Sequence, residues 1–99
     1  MNGMLSATDL RIDVLSVAVT DDTLTVDLAD GRTISVPIGW YPRLAAGTAE
    51  ERANFLISGA GAGIHWPDLD EDIGVAGLLL GKPSLESPAS FARWLERRK

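Results

Sequence analysis

Leu24-Thr25-Val26-Asp27-Leu28-Ala29-Asp30-Gly31-Arg32-Thr33-Ile34-Ser35-Val36-Pro37-Ile38 is the stretch that decides the fold. Leu24, Val26 and Leu28 alternate with Thr25, Asp27 and Ala29; Ile34, Val36 and Ile38 alternate with Thr33, Ser35 and Pro37. Alternation of period two marks strands with one buried and one wet face. Asp30-Gly31 lies between the runs, and glycine supplies the positive φ that a two-residue hairpin turn needs. Pro37 has no N–H to donate, so the later strand ends there or lies at an edge. Working back, Leu15, Val17 and Val19 alternate with Ser16, Ala18 and Thr20, and Asp21-Asp22 forms a polar turn. The pattern predicts a three-stranded antiparallel meander over about 12–38, whose apolar face later residues must cover.

The second half supplies that cover. Tyr41-Pro42-Arg43-Leu44 fits one helical turn with proline at its first position, stopped by Gly47. Thr48-Ala49-Glu50-Glu51 fits a capping box, predicting a helix over about 49–57. The glycine-rich segment 58–63 is a turn or bulge, and Ile64-His65-Trp66 is a short fourth strand stopped by Pro67. Ile73 and Leu78 fit a hydrophobic staple around Gly74 as N-cap, giving a helix over about 75–80 closed by Gly81. Ser87-Pro88 opens the last helix, about 88–98, with Phe91, Trp94 and Leu95 on one face. The expected class is α+β: a three- to four-stranded antiparallel meander with short helices packed on one face and a C-terminal helix. It forms a single domain over 1–99 with a flexible leader at 1–10.

The chain has 99 residues, of which 45% are hydrophobic, which suits one globular core and excludes disorder. It has no cysteine, which removes disulfides, thiol catalysis and thiolate zinc sites. No run approaches the ~20 apolar residues of a membrane span, and no signal peptide is visible, so a cytoplasmic protein is expected. The net charge of −5 combines unlike regions. Residues 1–87 hold thirteen acids and five bases; residues 88–99 hold one acid and four bases. The body is too acidic to coat nucleic acid by charge.

Few constellations carry chemistry. The glycines at 59, 61 and 63 lack the dinucleotide spacing, since Ile64 stands where a glycine is needed. Asp68-Leu69-Asp70-Glu71-Asp72 begins like a calcium loop, but its sixth and twelfth positions are Ile73 and Leu79. These acids either complement the N-terminus of the following helix or form a recognition surface for a basic partner. His65 is the sole histidine, so no Ser-His-Asp triad can be argued from pattern. Trp40, Tyr41 and Arg43, with His65 and Trp66, either seal the core or anchor a partner. Arg93, Arg97, Arg98 and Lys99 suit the negative end of the last helix or a nucleic-acid backbone.

Several of these runs together resemble a known family. They are Trp40-Tyr41-Pro42-Arg43-Leu44, Thr48-Ala49-Glu50-Glu51-Arg52, Gly63-Ile64-His65-Trp66-Pro67-Asp68-Leu69-Asp70-Glu71-Asp72-Ile73 and Gly77-Leu78-Leu79. With Asp30-Gly31-Arg32 and Ser90-Phe91-x-Arg93-Trp94-Leu95, the sequence resembles the bacterial family called domain of unknown function 2442, over about 12–98. Gly74 departs from the serine common in that family; glycine is a weaker N-cap and leaves the fold intact. The resemblance implies an α+β domain, sometimes fused in relatives to a repressor-like DNA-binding domain. It also implies a gene neighbourhood with a small toxin-like partner, hence an antitoxin-type binding role. It carries over no catalytic residue and no cofactor.

The favoured reading is a non-enzymatic protein-binding module. Its candidate partner-binding residues are Trp40, Tyr41, Arg43, His65, Trp66, Asp68, Asp70, Glu71 and Asp72. A second reading is a DNA-contacting regulatory domain using Arg93, Arg97, Arg98 and Lys99. A third is a metal-dependent hydrolase using His65, Asp68, Asp70 and Asp72. A homodimer is also expected, through a poorly protected sheet edge or through Phe91, Trp94 and Leu95 docking in trans.

Overall fold

Two small antiparallel sheets, joined by short helices, make up an α+β fold in the computed structural model, which describes residues 12–99. The leader expected at 1–10 lies outside the described residues. The first sheet is the expected meander, in order β1 (Val14–Val19), β2 (Thr23–Leu28) and β3 (Thr33–Pro37). Val17 faces Val26, which faces Ile34; Val19 faces Leu24, which faces Val36. That side carries the buried Leu24, Val26, Leu28 and Val36. The opposite side is a polar ladder in which Ser16 and Thr33 both donate to Asp27, each at 2.7 Å.

Two details of the meander differ from the sequence reading. The register slips between Val14 and Ser16, a bulge that turns Leu15 out to 64% exposure and puts Val14 on the core side. Four residues, 29–32, join β2 to β3, and the Leu28–Arg32 bond leaves a three-residue turn, Ala29-Asp30-Gly31, rather than a two-residue one. The Gly31 N–H donates to Leu28 O, the Leu28 N–H donates to Arg32 O, and Gly31 sits at φ 95°. This is the turn-plus-bulge alternative for a glycine-bearing hairpin, and Asp30 fixes it by accepting from the Arg32 N–H and Nε.

Beyond Pro37 a single 3-10 turn, Ile38–Trp40, leads into α1 (Pro42–Ala46), with Pro42 in its first turn and Gly47 as C-cap. A Cβ on Gly47 would lie 2.8 Å from Leu69 Cδ1, so the glycine admits a distant turn. The Thr48 capping box is fully formed, with Glu51 accepting from the Thr48 N–H at 2.9 Å and donating its own N–H to Thr48 Oγ1 at 3.1 Å. The helix α2 (Ala49–Ala53) ends four residues short of the expectation. Leu56–Ile57 is instead a strand, β4.

The second sheet corrects the picture of a fourth meander strand. It runs β4, β5 (Gly63–Trp66) and β6 (Glu71–Gly74), with Leu56 facing His65, which faces Asp72. Ile64, Trp66 and Ile73 point inward and are buried. The glycine-rich segment closes the β4–β5 hairpin, with Ala60 and Gly61 at positive φ. A Cβ on Gly61 would fall 2.7 Å from Asp13 Cβ, so this loop abuts the start of β1. The helix α3 (Val75–Leu79) starts from Gly74 and stops before Gly81 at φ 69°. Both staple residues, Ile73 and Leu78, are buried. The helix α4 (Pro88–Arg97) starts at Ser87, whose hydroxyl accepts from the Ser90 N–H. One core holds residues from both sheets, α1, α3 and α4.

Candidate functional site

The acidic run folds as a hairpin. Trp66 faces Glu71, and Pro67-Asp68-Leu69-Asp70 form the loop between them. Leu69 turns inward and is fully buried, and Asp70 takes a left-handed conformation at φ 51°. Aspartate tolerates that region better than most side chains. Asp68 and Asp70 lie in the turn, Glu71 and Asp72 lie in β6, and none falls in the first turn of α3, so the expected helix-dipole role gives way to turn and cross-strand roles. Asp68 accepts from Asn54 Nδ2 at 2.9 Å, and Asp72 Oδ1 lies 2.8 Å from His65 Nδ1. The Asp70 and Asp72 side chains nevertheless remain 77% exposed.

The hairpin is anchored from beneath by two residues. Trp66 is fully buried and donates its indole N–H to Arg52 O at 3.0 Å. Its ring packs tilted against Phe55, with centroids 6.2 Å apart. Trp66 therefore belongs to the core and presents nothing to a partner, which corrects its place among the contact residues. Arg52 is a buried cation that the sequence reading passed over. Its Nε donates to Leu44 O and its Nη2 to Ala45 O, both at 2.8 Å, and its Nη1 to Asp21 at 2.9 Å. It caps the last carbonyls of α1 and joins three segments. The Thr-x-x-Glu box placed Arg52 on α2, but no pattern distinguished it from an exposed arginine.

Trp40, Tyr41 and Arg43 form a corner that ties down the chain after α3. Tyr41 is buried, which pushes its hydroxyl above the usual range, with Glu71 adding to the shift. The Ser84 N–H donates to Trp40 O at 3.0 Å. Arg43 Nε donates to Glu86 Oε1 at 2.9 Å, and its Nη1 donates to Asp70 O at 2.9 Å. Ser90 on α4 also donates to Glu86, at 2.8 Å. Hydrogen bonding from Arg43 holds the Glu86 carboxyl below its ordinary value. Burial pushes the Glu71 carboxyl up, against the pull of the Asp72 N–H and the Arg43 charge.

Two shallow clefts meet here. One, of about 430 Å³, is lined mainly by Tyr41, Ile73, Gly74, Gly77, Pro83 and Leu85. The other, of about 260 Å³, is lined by Arg43, Asp70, Glu71, Asp72, Ser84 and Glu86. Asp72 and Ser84 border both.

The basic end of α4 is partly occupied within the chain. Trp94 is buried, with the Arg43 guanidinium 5.3 Å and the Arg98 guanidinium 4.6 Å from its ring centroid. Phe91 stacks on it at 5.7 Å. Arg98 donates to Glu51 at 2.8 Å, and Lys99 pairs with Glu96 at 2.7 Å. Arg93 and Arg97 are exposed. Trp94 thus docks in cis, not in trans as the dimer expectation had it. The four residues of the hydrolase reading do not converge: Asp68 is held by Asn54 and Asp70 by Arg43. Among the described residues, no group of three or more His, Asp or Glu is placed to hold a metal ion. No helix among them is long and apolar enough to cross a membrane.

Comparison with known proteins gives a family and a fold. The model of the family described as "Protein of unknown function (DUF2442)" matches residues 14–84. A crystal structure of a protein of unknown function from Rhodospirillum rubrum superposes with a TM-score of 0.64 at 24% identity, covering 81% of this chain and 96% of that one. An NMR structure of an uncharacterised protein from Chromobacterium violaceum gives 0.63 at 24% identity, covering 82% of this chain and 74% of that one. None of the curated proteins matches the chain.

Proposed function

The chain belongs to the DUF2442 family, and we propose that it is a non-enzymatic protein-binding module whose acidic β5–β6 hairpin receives a small basic protein. The single observation that carries this reading is the pairing of a fixed backbone with exposed charge. Leu69 and Trp66 are fully buried under the turn, while the Asp70 and Asp72 carboxylates are 77% exposed. A rigid support lowers the ordering cost of association, and clustered carboxylates steer a cationic partner. The resemblance to a family with toxin-like neighbours makes the finer reading the antitoxin-like member of a two-protein pair. The test is co-expression with the product of the adjacent gene, with a tag on one member. The reading expects co-elution and relief of any toxicity of the neighbour. Separate elution with unrelieved toxicity would overturn the antitoxin reading.

A further inference from the structure

Gly77 raises a question that the hairpin does not answer. It lies in the middle of the five-residue helix α3, where glycine costs roughly 0.8–1.0 kcal/mol against alanine. Close packing does not require it: a Cβ there would meet nothing within 4 Å, and its φ is not left-handed. The same holds for Gly74, one turn earlier. Both glycines line the larger cleft together with Tyr41, Ile73 and the 82–85 segment, whose Lys82 is the one cation among the described residues of a mostly apolar lining. Side chains at 74 and 77 would project into open space at this cleft. Leu85 stands at its rim 97% exposed, an apolar side chain with no cover from its own chain.

The smaller cleft continues the larger one across Asp72 and Ser84. It has four carboxylates, at Asp70, Glu71, Asp72 and Glu86, against one guanidinium, Arg43. That guanidinium is engaged by Glu86 and Asp70, so the surplus charge facing solvent is negative. An apolar trough running into an acidic one is complementary to a large apolar side chain adjacent to a cation.

We propose that the two clefts form one peptide groove, taking an extended partner segment with a leucine-sized side chain over Gly74 and Gly77 and a neighbouring arginine or lysine against the exposed Asp70 and Asp72. This rests on the protein-binding reading above and specifies where and what the module grips. An extended segment suits the geometry because adjacent side chains of an extended chain diverge and can enter neighbouring compartments.

The test uses the full chain, isotope-labelled, titrated with four blocked dipeptides and followed by amide NMR. Acetyl-Leu-Arg-amide and acetyl-Arg-Leu-amide are the probes; acetyl-Leu-Glu-amide and acetyl-Ala-Arg-amide are the controls. At least one probe is expected to move the amide signals of Gly74, Gly77, Ser84 and Leu85 together. The alanine control is expected to bind about tenfold more weakly, in line with the loss of an apolar group from its pocket. Gly77→Leu fills the trough with the chain's own side chain. It should abolish these shifts while leaving the melting temperature unchanged or higher. Shifts scattered over the surface, equal binding of the glutamate control, no binding of either probe, or undiminished binding by Gly77→Leu would each overturn the groove. A Gly77→Leu protein that still co-elutes with its neighbour would leave the acidic hairpin reading standing and remove only the groove.

Discussion

Replacing Arg52 with methionine keeps the length of the side chain and removes its charge and all its donors. Three contacts disappear, and they are unequal. The bond to Leu44 O lies in the core, where a charge-assisted hydrogen bond contributes about 1.5–3 kcal/mol. Leu44 O keeps a second partner, the Gly47 N–H at 3.1 Å, so the full cost of an orphaned carbonyl does not arise. The bond to Ala45 O is part-buried on an exposed residue, and its loss is expected to cost about 0.5–1 kcal/mol. The Asp21 side chain is 94% exposed, which limits that ion pair to about 0–1 kcal/mol. The expected total is about 3 kcal/mol, or a fall of roughly 12–24 °C in melting temperature for a domain of this size. Arg52→Lys should recover only part of this, because one ammonium cannot reproduce a planar fork serving two carbonyls. Urea denaturation at pH 7, with and without 0.5 M NaCl, separates the terms. A loss below about 1 kcal/mol would refute the assignment of Arg52 as the clasp of α1, and so would a loss that salt abolishes.

Further predictions follow from neighbouring contacts. Gly47→Ala drives a methyl group to 2.8 Å from the buried Leu69 side chain and should cost about 1–3 kcal/mol by calorimetry. Trp94→Ala removes the ring held between Arg43 and Arg98, at a cost of about 3–5 kcal/mol, with α4 amides losing protection from hydrogen exchange first. Glu71 has its carboxyl raised by burial, so its contribution is fully present below its unfolded pKa near 4.5 and fades as pH rises through the higher folded value. Glu71→Gln should therefore flatten the decline in stability from that acid window towards neutrality, read from melting temperatures across pH. Glu86, lowered by Arg43, has the opposite sign: its stabilisation is present above its unfolded pKa near 4.5 and is lost as pH falls through the folded value.

The local signals in this chain were legible and the non-local ones were not. The Thr48 box and the Ser87 cap depend on residues within a few positions of one another and form as read, and the staple pair Ile73 and Leu78 is buried on either side of the Gly74 N-cap. The hairpin was placed correctly while its turn was one residue too short, because one glycine serves both loop types. The second sheet escaped because Glu71-Asp72-Ile73-Gly74 is poor in β-favouring residues, and its pairing with β5 rather than its propensity makes it a strand. Leu69 was hidden among carboxylates, although a lone leucine between two aspartates in a turn is a signal of an inward anchor. Leu15 followed the period-two pattern faithfully and was still turned outward, since a bulge shifts the phase of everything before it. Charge alone could not separate Arg52, which is buried, from Arg93, which is exposed.

The claim that the acidic hairpin is the binding surface is tested most directly by neutralising it without disturbing its backbone. Asparagine suits both positions: it accepts the left-handed conformation at Asp70 and retains a hydrogen-bonding oxygen for His65 at Asp72. Titration calorimetry of the Asp70→Asn/Asp72→Asn protein against the adjacent gene's product, beside the wild type, gives the measurement. A loss of affinity of about tenfold or more at low salt, narrowing as salt rises and with melting temperature preserved, is the result predicted. Equal affinity of the two proteins at low salt would contradict it.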